Sequence, residues 1–152
     1  MTLKRLAVYC IATIVAPEAV LAQDGVIARC GASEGQSYFF HDPVMYPNGP
    51  DWDDDGISNG KLLLVRLGEE WDIQFGDTVG DYGYRQDGAT VFPVGQTEDM
   101  LTIGAFRGTY VDMFTFNFSN SEVLWTSHKI GTAIAKVGIY RAECSQMSPI
   151  LD

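Results

Sequence analysis

Beyond residue 22 the apolar positions come in short runs with a period of two, cut by Gly, Asn and Asp, and almost none has helical spacing. Trp71-Asp72-Ile73-Gln74-Phe75 is the clearest case: Trp71, Ile73 and Phe75 face one side, Asp72 and Gln74 the other. The run from Tyr110 to Phe118 puts Tyr110, Phe114, Phe116 and Phe118 on one face, with Asp112 as its single polar exception and Val111 and Met113 opposite. The pattern predicts strands over 26–30, 37–41, 60–67, 71–76, 83–85, 90–94, 101–106, 109–118, 123–129 and 133–144. Between them, Asp87-Gly88 suits a tight hairpin, Gly108 a sharp reversal, Ser119-Asn120-Ser121 a short loop and Gly131-Thr132 the break before the last strand. Strands repeating every ~8–12 residues with short connections describe an all-β antiparallel meander. The expected form is a small closed or nearly closed barrel, with a β-sandwich as the alternative.

The first 22 residues do not share this pattern. Lys4 and Arg5 precede the unbroken apolar run from Leu6 to Ala16; Pro17 and Glu18 end it, and Val20-Leu21-Ala22 supplies small or apolar residues before Gln23. That order predicts an export signal over 1–22, with an apolar run too short to span a bilayer, followed by a single β domain over 23–152. The leader holds Lys4, Arg5 and Glu18, so of 10 basic and 20 acidic side chains 8 and 19 remain, a net charge of −11. Such a surface repels phosphate, which argues against nucleic acid and anionic lipid and favours a cationic protein partner. No later stretch is apolar enough to be a membrane span.

Cys10 leaves with the leader, and Arg29 before Cys30 is not the small residue that a lipid-anchor site needs. Cys30 and Cys144 remain, 114 positions apart. In an oxidising compartment they most simply form one disulfide, the competing reading being two free thiols; no CxxC spacing points to redox chemistry. A bridge between the first strand and the last requires a sheet that curls round on itself, or a Greek-key connection, which favours the barrel.

Chemistry-bearing residues concentrate in His41 to Asn59, a stretch with three prolines and no alternation, read as one long loop. Asp51, Asp53 and Asp55 followed by Gly56 match the first half of a calcium loop, with Ser58 as a further ligand; the twelfth position, which should be Glu, is Leu62, and no helix flanks the segment. Bound Ca²⁺ and a solvated acidic turn both stay open, and no other cofactor is suggested. Tyr46 and Trp52 are the aromatics of this polar loop, either a recognition patch or residues that fold the loop down over a barrel end.

Catalytic constellations are scarce. His41 and His128 stand apart without motif context, Ser58 and Ser127 lack a nucleophile-elbow pattern, and two histidines with a paired cysteine couple make no zinc spacing. Glu69-Glu70 before Trp71 reads as solvent-facing charge at a strand entrance. No catalytic residue is therefore assigned.

Several pieces together resemble a family of small exported alpha-proteobacterial β proteins with no assigned activity. They are Arg29-Cys30-Gly31-Ala32-Ser33-Glu34-Gly35 with Ser37-Tyr38-Phe39-Phe40, then Trp52 with Asp55-Gly56-Ile57-Ser58 and Gly60, and the tail from Lys136 to Cys144. The resemblance implies a shared exported domain and no mechanism, and it implies that the Asp-Gly-Ile-Ser element does not depend on Asp51 and Asp53. The expectation is an exported, non-enzymatic β module that binds another envelope or extracellular molecule. The alternatives are a small secreted hydrolase with carboxylates assembled by the fold, or a calcium-stabilised structural domain.

Overall fold

The computed structural model describes residues 24–76 and 80–148; the expected leader lies outside them. Ten strands follow one another: β1 (Gly25–Phe39), β2 (Asp51–Asp54), β3 (Lys61–Leu67), β4 (Glu70–Gly76), β5 (Asp81–Gly83), β6 (Thr90–Gln96), β7 (Met100–Arg107), β8 (Tyr110–Asn117), β9 (Glu122–Lys129) and β10 (Lys136–Met147). They form one antiparallel sheet in the order β5-β4-β3-β1-β10-β9-β8-β7-β6, with β2 added beside β1. The sheet curls strongly into a half-barrel. It is one continuous sheet, so the sandwich alternative falls away.

The first strand and the last are direct neighbours. β1 pairs with β10 along most of its length, and Cys30 lies in register with Cys144, to which it is disulfide-bonded. The edges of the sheet are mid-chain elements, β5 and β6, which do not pair with each other. Residues 84–89 cross between them as a turn, with Asp87 N–H donating to the Gly83 carbonyl and Ala89 N–H to that of Tyr84. The tight hairpin expected at Asp87-Gly88 is therefore not present; Gly88 does adopt φ 87°, the left-handed region that suits glycine. The Arg85 guanidinium spans the gap, donating to the carbonyl of Trp71 on β4 (2.6 Å) and that of Val91 on β6 (2.9 Å).

Alternation sets the interior as the sequence pattern predicts. Trp71, Ile73 and Phe75 of β4 are buried, as are Tyr110, Asp112, Phe114 and Phe116 of β8. Val111 is exposed, so β8 is covered on one face only at that point. Phe114 stacks on Trp125 at 5.8 Å between ring centroids, and Trp125 on Tyr140 at 5.1 Å. Burying each such ring stabilises the fold by about 1.5–3 kcal/mol. The two-residue turn at Gly108-Thr109 joins β7 to β8, as Gly108 predicts.

Two differences bear on function. The strands expected over 26–30 and 37–41 are one strand, because β10 pairs across the polar stretch between them; register shifts on either side of Cys30 absorb the extra residues. And the long loop contains a strand: where β3 has left β1 after Cys30, β1 still offers a free edge, which β2 takes between Gln36 and Phe39.

Candidate functional site

The β1–β2 pair presents a different surface on each side. Tyr38 and Trp52 are opposite each other in register and meet edge-on, with ring centroids 5.5 Å apart. Phe40 meets Tyr38 in the same way at 5.6 Å. Trp52 is 59% exposed although its ring is held, and Phe40 is exposed beside it. On the other side Phe39 stacks on Tyr46 at 4.9 Å. Of the two aromatics expected to act together, Tyr46 folds the segment down and Trp52 stays open to solvent. They do not form one patch.

The carboxylates divide similarly. Asp51 Oδ1 accepts the N–H of Trp52 (2.8 Å) and Asp53 Oδ1 that of Asp54 (2.9 Å). The N–H of Asp55, of opposite parity, donates to the Gly35 carbonyl of β1. The capped amides therefore point away from β1, along the free edge of β2. Capping occupies donors that an incoming strand would use. Asp54 instead accepts from Gln36 across the pair.

Asp55 turns inward. Its Oδ2 accepts from Ser37 of β1 (2.7 Å), from the Tyr140 hydroxyl (2.7 Å) and from the Lys136 ammonium, both of β10. Burial works to raise its pKa, but the Lys136, Tyr140 and Ser37 donors outweigh this and hold it below the usual carboxylate range. Burial first, and then the Asp55 carboxylate, push the Tyr140 phenol up, so it remains a donor. Glycine makes room: a Cβ on Gly138 would lie 2.2 Å from Ser37 Oγ and 2.5 Å from the Tyr140 hydroxyl.

The Asp-Gly-Ile-Ser element now has a physical account. A Cβ on Gly56 would lie 2.4 Å from the Ser33 carbonyl, so only glycine lets the chain run this close to β1. Ile57 and Ser33 exchange backbone hydrogen bonds (3.2 and 3.0 Å), and the Ile57 side chain packs on the core. Ser58 is exposed. The structure thus gives Asp51 and Asp53 to an edge, Asp55 to an ion pair and Ser58 to solvent. Among the described residues no group of three or more His, Cys, Asp and Glu is placed to hold a metal ion.

His41 and His128 are both exposed, and Glu69 lies in the exposed turn between β3 and β4. Asp112 was not among the expected site residues. It is the polar exception on an apolar face, and it is buried inside the curl, where its Oδ2 accepts from the Tyr84 hydroxyl. Burial first, and then the Asp112 charge and hydrogen bond, hold the Tyr84 phenol well above its ordinary pKa. Asp55 and Asp112 both border one small aromatic-walled chamber. No family model, curated protein or solved structure matches the chain.

Proposed function

We propose that the chain is an exported, non-enzymatic β module, periplasmic or secreted, that binds a cationic protein partner through the ledge formed by Tyr38, Phe40 and Trp52. The observation that carries this reading is an exposed tryptophan fixed by its neighbour and set in a strand of four residues of which three are aspartates. A rigid aromatic anchor loses little entropy on binding, and such residues dominate interface energies. The acidic rim and the −11 charge of residues 23–152 would speed encounter with a basic partner. Because Asp51 and Asp53 cap the outward amides of β2, recognition goes through side chains and not through an added strand. The leader pattern supports export, and the disulfide is compatible with it.

The pairing of Asp55 and Asp112 in one chamber is where a hydrolase reading would start. A proton donor needs a raised pKa, whereas Asp55 is held low by three donors and behaves as a fixed anion. Binding is the better account. The experiment is capture from envelope extract by the wild type and by Trp52→Ala, at low and raised salt. Salt-sensitive capture of a basic protein, lost in the variant, is expected; identical captures would remove the ledge from the argument.

A further inference from the structure

A second site lies inside the curl, away from the ledge. Asp112 of β8 is in register with Ser127 of β9, and the two are 1% and 2% exposed. Asp112 Oδ1 and Ser127 Oγ have no hydrogen-bond partner among the described residues. Orphaned polar atoms at such depth are uncommon in native structures and destabilise them unless something fills the role of partner. Space adjoins them: an inner chamber of about 70 Å³ bordered by Asp112, Ser127 and Trp125, and an outer one of about 340 Å³ bordered by Tyr110 and Thr132. Tyr82, Tyr84, Asp112 and Lys129 border both.

Lys129 supplies the complementary charge. It follows Ser127 by two residues on β9, opposite Tyr110, so it shares the inward face about 7 Å along the strand. Unlike Lys136, which is tied to Asp55, Lys129 has no ion pair among the described residues. A ligand that is only a cation would leave Lys129 without a partner, and one that is only an anion would leave Asp112 Oδ1 so. A bridging water would serve Asp112 and Ser127 but make no use of Lys129 or of the rings.

We propose that these two chambers bind a small zwitterion, an α-amino acid with an aromatic side chain. Its ammonium donates to Asp112 Oδ1 and Ser127 Oγ from the inner chamber, and its carboxylate pairs with Lys129. Its side chain stacks among the tyrosines of the outer chamber, whose faces also favour the ammonium.

The test is calorimetric titration of the intact protein with L-phenylalanine, phenethylamine and 3-phenylpropionate. Phenylalanine should bind saturably, and each one-charge analogue at least about tenfold more weakly. Asp112→Asn should abolish binding of phenylalanine and phenethylamine. Lys129→Met should bring phenylalanine down to the phenethylamine level while leaving phenethylamine unchanged. No saturable binding of phenylalanine, or binding unaltered by Lys129→Met, overturns the proposal. Because Lys129 is only half-buried, its variant keeps the test valid even if Asp112→Asn fails to fold. Trp52→Ala should leave these affinities unchanged, so failure here and failure of the ledge are separable.

Discussion

The junction of β1 with β10 and the gap between β5 and β6 are the two places where the sheet is brought round, and they are built differently. At the junction the strands share a long ladder with register shifts around Cys30, a disulfide near one end and the Asp55 cluster, with Ser37, Tyr140 and Lys136, towards the other. At the gap no ladder crosses among the described residues; Arg85 reaches between two carbonyls, and the rings of Tyr84 with Phe75 and Tyr110 pack together nearby in the chain. The chain thus ties its distant ends together and leaves its sequence-local neighbours apart. Ordering ends so far separated carries the larger entropic cost, so a covalent and ionic joint has most effect there. The gap, which lies beside the outer chamber, is where local opening is expected first.

The largest expected effect follows from removing the covalent half of the joint. Cys30→Ala with Cys144→Ala should lower unfolding free energy by about 2–5 kcal/mol in urea titration. A loss below about 1 kcal/mol would mean that the β1–β10 ladder alone sets the closure, and the contrast with the gap would shrink accordingly.

The ionic half comes next. Asp55 and Lys136 side chains are only 19% and 17% exposed, so solvent screens the pair weakly. Asp55→Asn should cost about 1–3 kcal/mol at neutral pH. Because its folded pKa is depressed, the stabilisation is present in full above the ordinary carboxylate range and is lost as pH falls through the lower folded value. Wild type and Asp55→Asn should therefore converge in acid. A difference constant down to the acid transition would show that the carboxylate charge is not the source.

The same contrast explains what was legible in the sequence. Inward faces such as Trp71, Ile73 and Phe75 declare themselves locally, and so does the turn at Gly108, because alternation and turn chemistry depend on nearest neighbours. The continuity of β1 did not, since residues 31–36 are polar or small and owe their extended form to β10, more than 100 positions away. β2 was hidden for a related reason: an acidic four-residue strand is made by the free edge beside it. Asp112 was visible as an exception, whereas its setting depends on Ser127 and Lys129 falling in register on another strand. Period-two reading of Val123, Trp125, Ser127 and Lys129 as one face would have been the signal.

At the gap, Arg85→Met keeps the aliphatic stem and removes the two donors. The expected loss is about 1–2 kcal/mol, since Arg85 is exposed and its acceptors are neutral carbonyls. Native-state hydrogen exchange should quicken in β6 before it does in β1 or β10. Uniform quickening across all three would show that the gap is not a separate opening unit.

The smallest effect on stability, within about 0.5 kcal/mol, is expected for Trp52→Ala, because the side chain is mostly in solvent and contacts chiefly Tyr38. Its effect on partner capture should be large, about 30-fold or 2 kcal/mol, as for a central aromatic anchor. Tyr46→Phe, on the opposite side of the same strand pair, should leave capture unchanged. The position of Trp52 also links binding to the joint: its ring is held by Tyr38 of β1, which is itself paired with Val137 of β10. Loosening the joint with Cys30→Ala and Cys144→Ala should therefore weaken capture more than loosening the gap with Arg85→Met. Equal weakening by the two would mean that the ledge owes its order to the β2 edge alone, and that the rigid side of the sheet does not serve recognition.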